Sequence, residues 1–236
     1  MIEVKPFRGI RYNEGKVKDI AAVVCPPYDV ISEEQKEFYY QKSPYNIIRV
    51  ILTKEEDNVD KYQKAGQYFT QWLKEGVLFK EREESIYVYA QTYQYAHKQL
   101  TRLALVALFK LAEFGQGIYP HEKTLREPTI DRLKLIESTK AQCGQVFVLY
   151  DDREKIVENR LKSYIQNSPI IDIKTTGDIQ HQLWKIVDPL VHKFIAQKMK
   201  EFNIVIADGH HRYITALQYC LLYTSPSPRD LSTSRM

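Results

Sequence analysis

The sequence predicts an α/β protein, with α+β as the variant, in which helices flank a mixed sheet. Two observations carry this prediction. Short apolar, often β-branched runs alternate along the chain with stretches of helical periodicity. Capping residues, glycines and prolines mark the boundaries between them.

Val4 to Tyr12 and Ile20 to Cys25 read as short strands, the second closed by Pro26-Pro27. Ser32 with Gln35 forms a capping box that starts a helix through about Lys42. The β-branched run from Asn46 to Leu52 predicts a buried strand. Val59, Tyr62, Gly66, Phe69 and Leu73 recur at helical spacing and end near Gly76. Ile86 to Tyr95 and Leu100 to Leu111 predict paired strands around Ala96-His97-Lys98. A loop with Gly115, Gly117 and Pro120 precedes a helix from about Thr129 to Lys140. Val146 to Tyr150 is a strand, and Arg153 to Gln166 a helix. Strands near Ile170 to Ile173 and Leu183 to Val187 follow. Asp188-Pro189 then offers an N-cap with proline at the first helical position, and that helix runs to about Glu201.

Bulk properties narrow the function classes. The 236 residues are 44% hydrophobic and 27% charged, within the range of soluble globular chains. No run approaches a membrane span, and Met1 to Lys5 lacks a signal-peptide apolar core. Cys25, Cys143 and Cys220 are scattered and form no CxxC pair, which points to a reducing cytoplasm rather than a disulfide framework. The net charge of +4 arises from interspersed signs with no basic, aromatic-laced stripe, so neither nucleic acid nor membrane is an expected partner. Oligomeric state stays open.

The richest chemistry lies in Ala207-Asp208-Gly209-His210-His211-Arg212, which follows the apolar strand Asn203 to Ala207. Asp208-Gly209 makes a turn, and His210 opens a helix carrying Tyr213, Ala216 and Leu217 on one side. A strand, a tight turn and a helix N-terminus present backbone N–H groups and a positive dipole end to an anion. Gly209 permits close approach, and Arg212 is expected to grip phosphate oxygens, with His210 and His211 as further donors. Asp208 suits orienting a histidine, holding Mg²⁺ or accepting a hydroxyl proton. The plainer alternative makes Asp208 an N-cap and the histidines surface cover.

A second polar cluster holds His121, Glu122 and Thr124, with Asp131-Arg132 following. Glu122 is a candidate general base, His121 a phosphate donor group and Arg132 an anion clamp, against a plain surface loop. Tyr28 and Asp29 are placed at the pocket rim by Pro26-Pro27-Tyr28-Asp29, against an ordinary proline turn. His181 and Trp184 are expected at a core edge, Cys25 as a small buried hydrophobe, and His97 and His192 on the surface.

Lys5-Pro6-Phe7-Arg8-Gly9, Cys25 to Ile31, Tyr119 to Thr124, Asp131-Arg132-Leu133, His181 to Trp184 and Ile206 to Tyr213 occur in the order seen in one family. On these blocks the chain resembles the domain-of-unknown-function 1015 family of bacterial and archaeal proteins. The resemblance implies that the chain is roughly the first half of a longer protein. The Asp-Gly-His-His-Arg run is also similar to a phosphate motif of the ParB and sulfiredoxin-like superfamily, which includes free-serine kinases. That likeness implies phosphate chemistry on a small molecule.

Three functions follow as expectations. The first is a small-molecule phosphotransferase using Mg²⁺ and an unspecified phosphate donor, with Glu122 or Asp29 as base. No GxxxxGK[ST] loop is present, which excludes a P-loop kinase. The second is a ParB-like nucleotide switch without turnover. The third is a metal-dependent hydrolase with Asp208, His210 and His211 as ligands. Adjacent helical histidines diverge by about 100°, which weighs against this set, so no metal site is assigned. Residues 1–52 and 200–220 are expected to pair in one sheet as a phosphate-handling core, with 53–199 inserted. Residues 221–236, rich in serine, proline and arginine, read as a non-native tail that breaks the last helix.

Overall fold

A computed structural model describes residues 1–55, 59–123 and 126–224. The first third holds β1 (Val4–Lys5), β2 (Ile10–Tyr12), α1 (Glu33–Lys42), α2 (Ile48–Ile51), α3 (Lys61–Lys74) and β3 (Leu78–Lys80). Next come β4 (Ile86–Tyr95), β5 (Lys98–Val106), β6 (Leu108–Phe109), β7 (Ile118–Tyr119) and α4 (Arg126–Thr139). The rest comprises β8 (Phe147–Tyr150), α5 (Ile156–Lys162), β9 (Ile171–Thr175), β10 (Ile179–Ile186), α6 (Pro189–Met199), β11 (Ile204–Asp208) and α7 (His210–Thr224).

Local signals produce local structure. The Ser32–Gln35 capping box is complete, with each side chain bonded to the other's backbone N–H. Asp188 caps α6 through the Leu190 amide, with Pro189 at its first position. The β4–β5 hairpin turns through Ala96 and His97, both at positive φ, as a two-residue connection requires.

The largest sheet is antiparallel, in the order β5-β4-β10-β9. Its buried side chains Ile86, Val88, Trp184 and Ile186 join Val191 and Ile195 of α6 and Ile204, Ile206 and Tyr213 in one core. A smaller mixed sheet has β11 at its centre, parallel to β7 and antiparallel to β8. A second core, around Val23, Val50, Phe69, Trp72 and Leu135, joins the N-terminal segment to α3 and α4. Gly66 lets α3 approach α4 closely, since a β-carbon there would lie 2.7 Å from the Ser138 carbonyl oxygen. Helix α4 is tied to α7 where the fully buried Thr215 donates to the Thr129 carbonyl. The class is therefore α/β with mixed sheets, and among the described residues no helix is long and apolar enough to cross a membrane.

Several expectations are corrected. Asn46 to Leu52 is helical in its middle: fully buried Asn46 donates to the Ala22 and Val24 carbonyls and accepts from the Ile48 amide, starting α2. Ile20–Ala22 is a 3₁₀ turn capped by Asp19, not a strand. The expected first strand is two short ones with different partners: β1 pairs with β6, and β2 with β3. Residues 1–52 and 200–220 share no sheet, because β11 takes its neighbours from β7 and β8. His192 is buried against the Ile186 carbonyl, not on the surface. Helix α7 passes Cys220 without a break and reaches Thr224; residues 225–236 lie outside the described residues.

Candidate functional site

Ile204 and Ile206 alternate into the core, so β11 carries the chain to the sheet's end at Asp208. Gly209 then turns it with φ +87°, a region that penalises L side chains, and α7 begins. The first helical return bond runs from the Tyr213 amide to the Gly209 carbonyl. The amides before it are those a helix leaves for caps or ligands. Tyr213 locks this end in place: its hydroxyl donates to the Ala112 carbonyl and accepts from the Ala112 amide, and its ring stacks on Phe109 and Phe114.

Arg212 folds back over the turn. Its Nη2 donates to Asp208 Oδ2 at 2.5 Å and its Nη1 to the Gln145 carbonyl at 2.6 Å. A β-carbon on Gly209 would lie 2.9 Å from Arg212 Nε, and one on Gly144 would lie 3.2 Å from its Cδ. The two glycines thus form a slot for the guanidinium. The Asp208 side chain stays half exposed and is paired with Arg212.

The 120–123 loop meets α7 on His210, which is 1% exposed. His121 donates its backbone N–H to His210 Nε2 at 3.3 Å, and the two rings meet edge to face, 4.5 Å apart. The Ile206 carbonyl can only accept, so the 2.6 Å contact from His121 Nδ1 places a proton on Nδ1 and orients the ring. Glu122 Oε1 lies 2.9 Å from His210 Nδ1, yet that nitrogen has no aligned hydrogen bond. Burial lowers the His210 pKa, against the charge of Glu122, which raises it.

The Tyr28–Val30 turn comes near the same region. The Arg132 guanidinium lies 4.0 Å over the Tyr28 ring. Burial raises the Tyr28 pKa, while the charges of Arg132 and Arg212 both lower it, so this tyrosine senses both cations. Asp29 is exposed beside it. Arg132 is committed elsewhere: it donates to Asp131 and to the Ile51 carbonyl, and Asp131 also accepts from Tyr62.

The structure therefore brings His121 and Glu122 onto the Asp208–Arg212 turn, whereas Arg132 is turned toward Asp131. The hydrolase set of Asp208, His210 and His211 is not the one that converges. Among the described residues, the donor atoms lying within 4.8 Å of one another belong to His121, Glu122 and His210. Thr124 falls outside the described residues. No sequence pattern announces that Gly144 and the Gln145 carbonyl receive Arg212. Their one mark is a glycine in a segment without periodicity.

The family described as "Protein of unknown function (DUF1015)" matches residues 4–232, and the chain belongs to it. No curated protein and no solved structure matches the chain.

Proposed function

We propose that this DUF1015 chain holds a phosphate-bearing small molecule at the N-terminus of α7 and transfers its phosphoryl group to a hydroxyl acceptor. Free serine is the most concrete acceptor. One observation carries the reading: the β11–Gly209–α7 junction and the 120–123 loop meet, setting helix amides, a half-exposed Asp208, His121 and Glu122 around one place.

Each part has a role that its chemistry supports. The first turn of α7 cradles the anion with backbone N–H groups. Asp208, steadied by Arg212, offers carboxylate oxygen of the kind Mg²⁺ takes, and bound Mg²⁺ would offset phosphate charge. Glu122 or Asp29, both exposed, takes the proton of the acceptor hydroxyl as the oxygen attacks phosphorus and the donor's P–O bond breaks. Arg212 holds Asp208 and the Gln145 carbonyl with one N–H from each Nη, and its Nε, which has no partner, is the donor left to face an anion at the turn. The scattered free cysteines suit a cytoplasmic setting for this chemistry.

The test incubates the chain with Mg²⁺, serine or pooled hydroxyl metabolites, and ATP, ADP or pyrophosphate, and reads phosphorylated products by mass spectrometry. Asp208→Asn should lower turnover by about 10²–10⁴, as should loss of whichever carboxylate is the base. Saturable nucleotide binding without product would replace this reading with the non-catalytic switch. Product formation unchanged in Asp208→Asn, Asp29→Asn and Glu122→Gln would refute the assignment of the site.

A further inference from the structure

We infer that His121, Glu122 and His210 form a binding site for one transition-metal dication of the zinc class. The inference does not depend on phosphoryl transfer, because metal occupancy is measured without turnover.

Two neutral imidazoles and a carboxylate make up the three-ligand set used by open zinc sites, in which a fourth position is left for water or substrate. Nitrogen-rich donors favour Zn²⁺ and its first-row neighbours over Mg²⁺ or Ca²⁺, which prefer oxygen. The donor atoms of the three residues already lie within 4.8 Å of one another. A tetrahedral ion with bonds of about 2.0–2.1 Å sets its ligands roughly 3.3 Å apart, so the His210–Glu122 pair must open slightly from 2.9 Å and wider pairs must close.

Two independent features aim these groups at a common point. The first is the Ile206 carbonyl. It takes the Nδ1 proton of His121, which fixes the ring and frees Nε2, the outer-shell support that metal-bound histidines use. The second is the fully buried His210. Its Nδ1 has no aligned hydrogen-bond partner although Glu122 Oε1 is 2.9 Å away. Nδ1 and Oε1 thus face each other from two separate elements without an aligned hydrogen bond, a placement from which both can turn to one ion. Glu122 and His121 are exposed, so an ion can enter from solvent.

Coordination through Nδ1 moves the remaining His210 ring proton to Nε2, where it would face the His121 amide that now donates to it at 3.3 Å. The 120–123 loop must then shift, and the same loop carries two of the three ligands. With Glu122 engaged by metal, the base in the transfer reading falls to Asp29.

The experiment uses the tag-free full chain, stripped with a chelator and titrated with Co²⁺, with Zn²⁺ competition to follow. We expect one equivalent to bind with the intense visible bands of a four- or five-coordinate site, displaced by Zn²⁺. His121→Ala and Glu122→Gln should each weaken binding by about 100-fold or more, the exposed Glu122→Gln without changing the Tm of the metal-free protein, and His97→Ala should leave binding intact. His210→Asn is the less informative variant because it alters a buried residue. Failure to bind one equivalent, or parent-like binding in either His121→Ala or Glu122→Gln, overturns the site. Metal binding without any phosphorylated product would leave it standing and remove the transfer reading alone.

Discussion

Gly209→Ala tests whether the turn is built around Arg212. Gly209 sits at φ +87°, where an L residue costs about 1–2 kcal/mol. The new β-carbon would also lie 2.9–3.0 Å from Arg212 Nε, Cζ and Nη2. A flexible arginine end would ordinarily move aside. Here it is held by Asp208 and the Gln145 carbonyl, with Gly144 close to its Cδ. Giving way therefore costs on the order of one charged hydrogen bond, about 1.5–3 kcal/mol. Together these terms predict a loss of roughly 2.5–5 kcal/mol, read as a lower urea midpoint at unchanged m-value. In an Arg212→Ala background the same substitution should cost only the backbone part, about 1–2 kcal/mol, so the cycle should show a coupling of about 1.5–3 kcal/mol. Additive costs would refute the slot, and a single-mutant loss below about 1 kcal/mol would refute the backbone conformation as well.

Two further predictions concern groups away from the site. Burial raises the pKa of Glu81, but hydrogen bonds and charge from Lys185 and Arg11 outweigh it and leave the carboxyl below its usual 4.5. Its contribution is therefore complete above about pH 4.5 and fades as pH falls through the lowered value, so the stability gap to Glu81→Gln, about 1.5–3 kcal/mol at pH 7, should close toward pH 3; a constant gap would contradict this. Burial pushes the Cys25 thiol up to about 12 and that of Cys143 to about 11. Both should react with a disulfide reagent at pH 8 far more slowly in the native protein than in urea, and equal rates would contradict their burial.

Elements set by neighbouring residues were legible in the sequence, and those set by distant partners were not. The Ser32–Gln35 box, the Asp188-Pro189 start and the β4–β5 hairpin each need only a few adjacent residues, and all three form. Asn46 to Leu52 misleads because a short apolar run reads the same as helix or strand. What decides it is Asn46, whose side chain bonds to carbonyls more than twenty residues away. Strand β7 has two residues and no pattern of its own, yet it supplies the parallel neighbour of β11. The sheet order around the candidate site therefore could not be read along the chain.

The site itself divides in the same way. Asp208 to Arg212 stand out because they are contiguous, but their roles depend on Glu122, Gly144 and Gln145, far away in sequence. The consequence concerns charge. Arg212 and Arg132 are the cations that the sequence offers to a phosphate, and each is paired with its own carboxylate, Asp208 or Asp131. What remains for an anion is the end of α7, equivalent to roughly half a unit charge, together with the unpartnered Nε of Arg212. A phosphoryl group carries more negative charge than that, and a bound metal cation would offset the difference. Among the described residues, the His121, Glu122 and His210 donors and the half-exposed Asp208 carboxylate offer ligand atoms for one. Anion affinity at this turn should accordingly rise with metal occupancy.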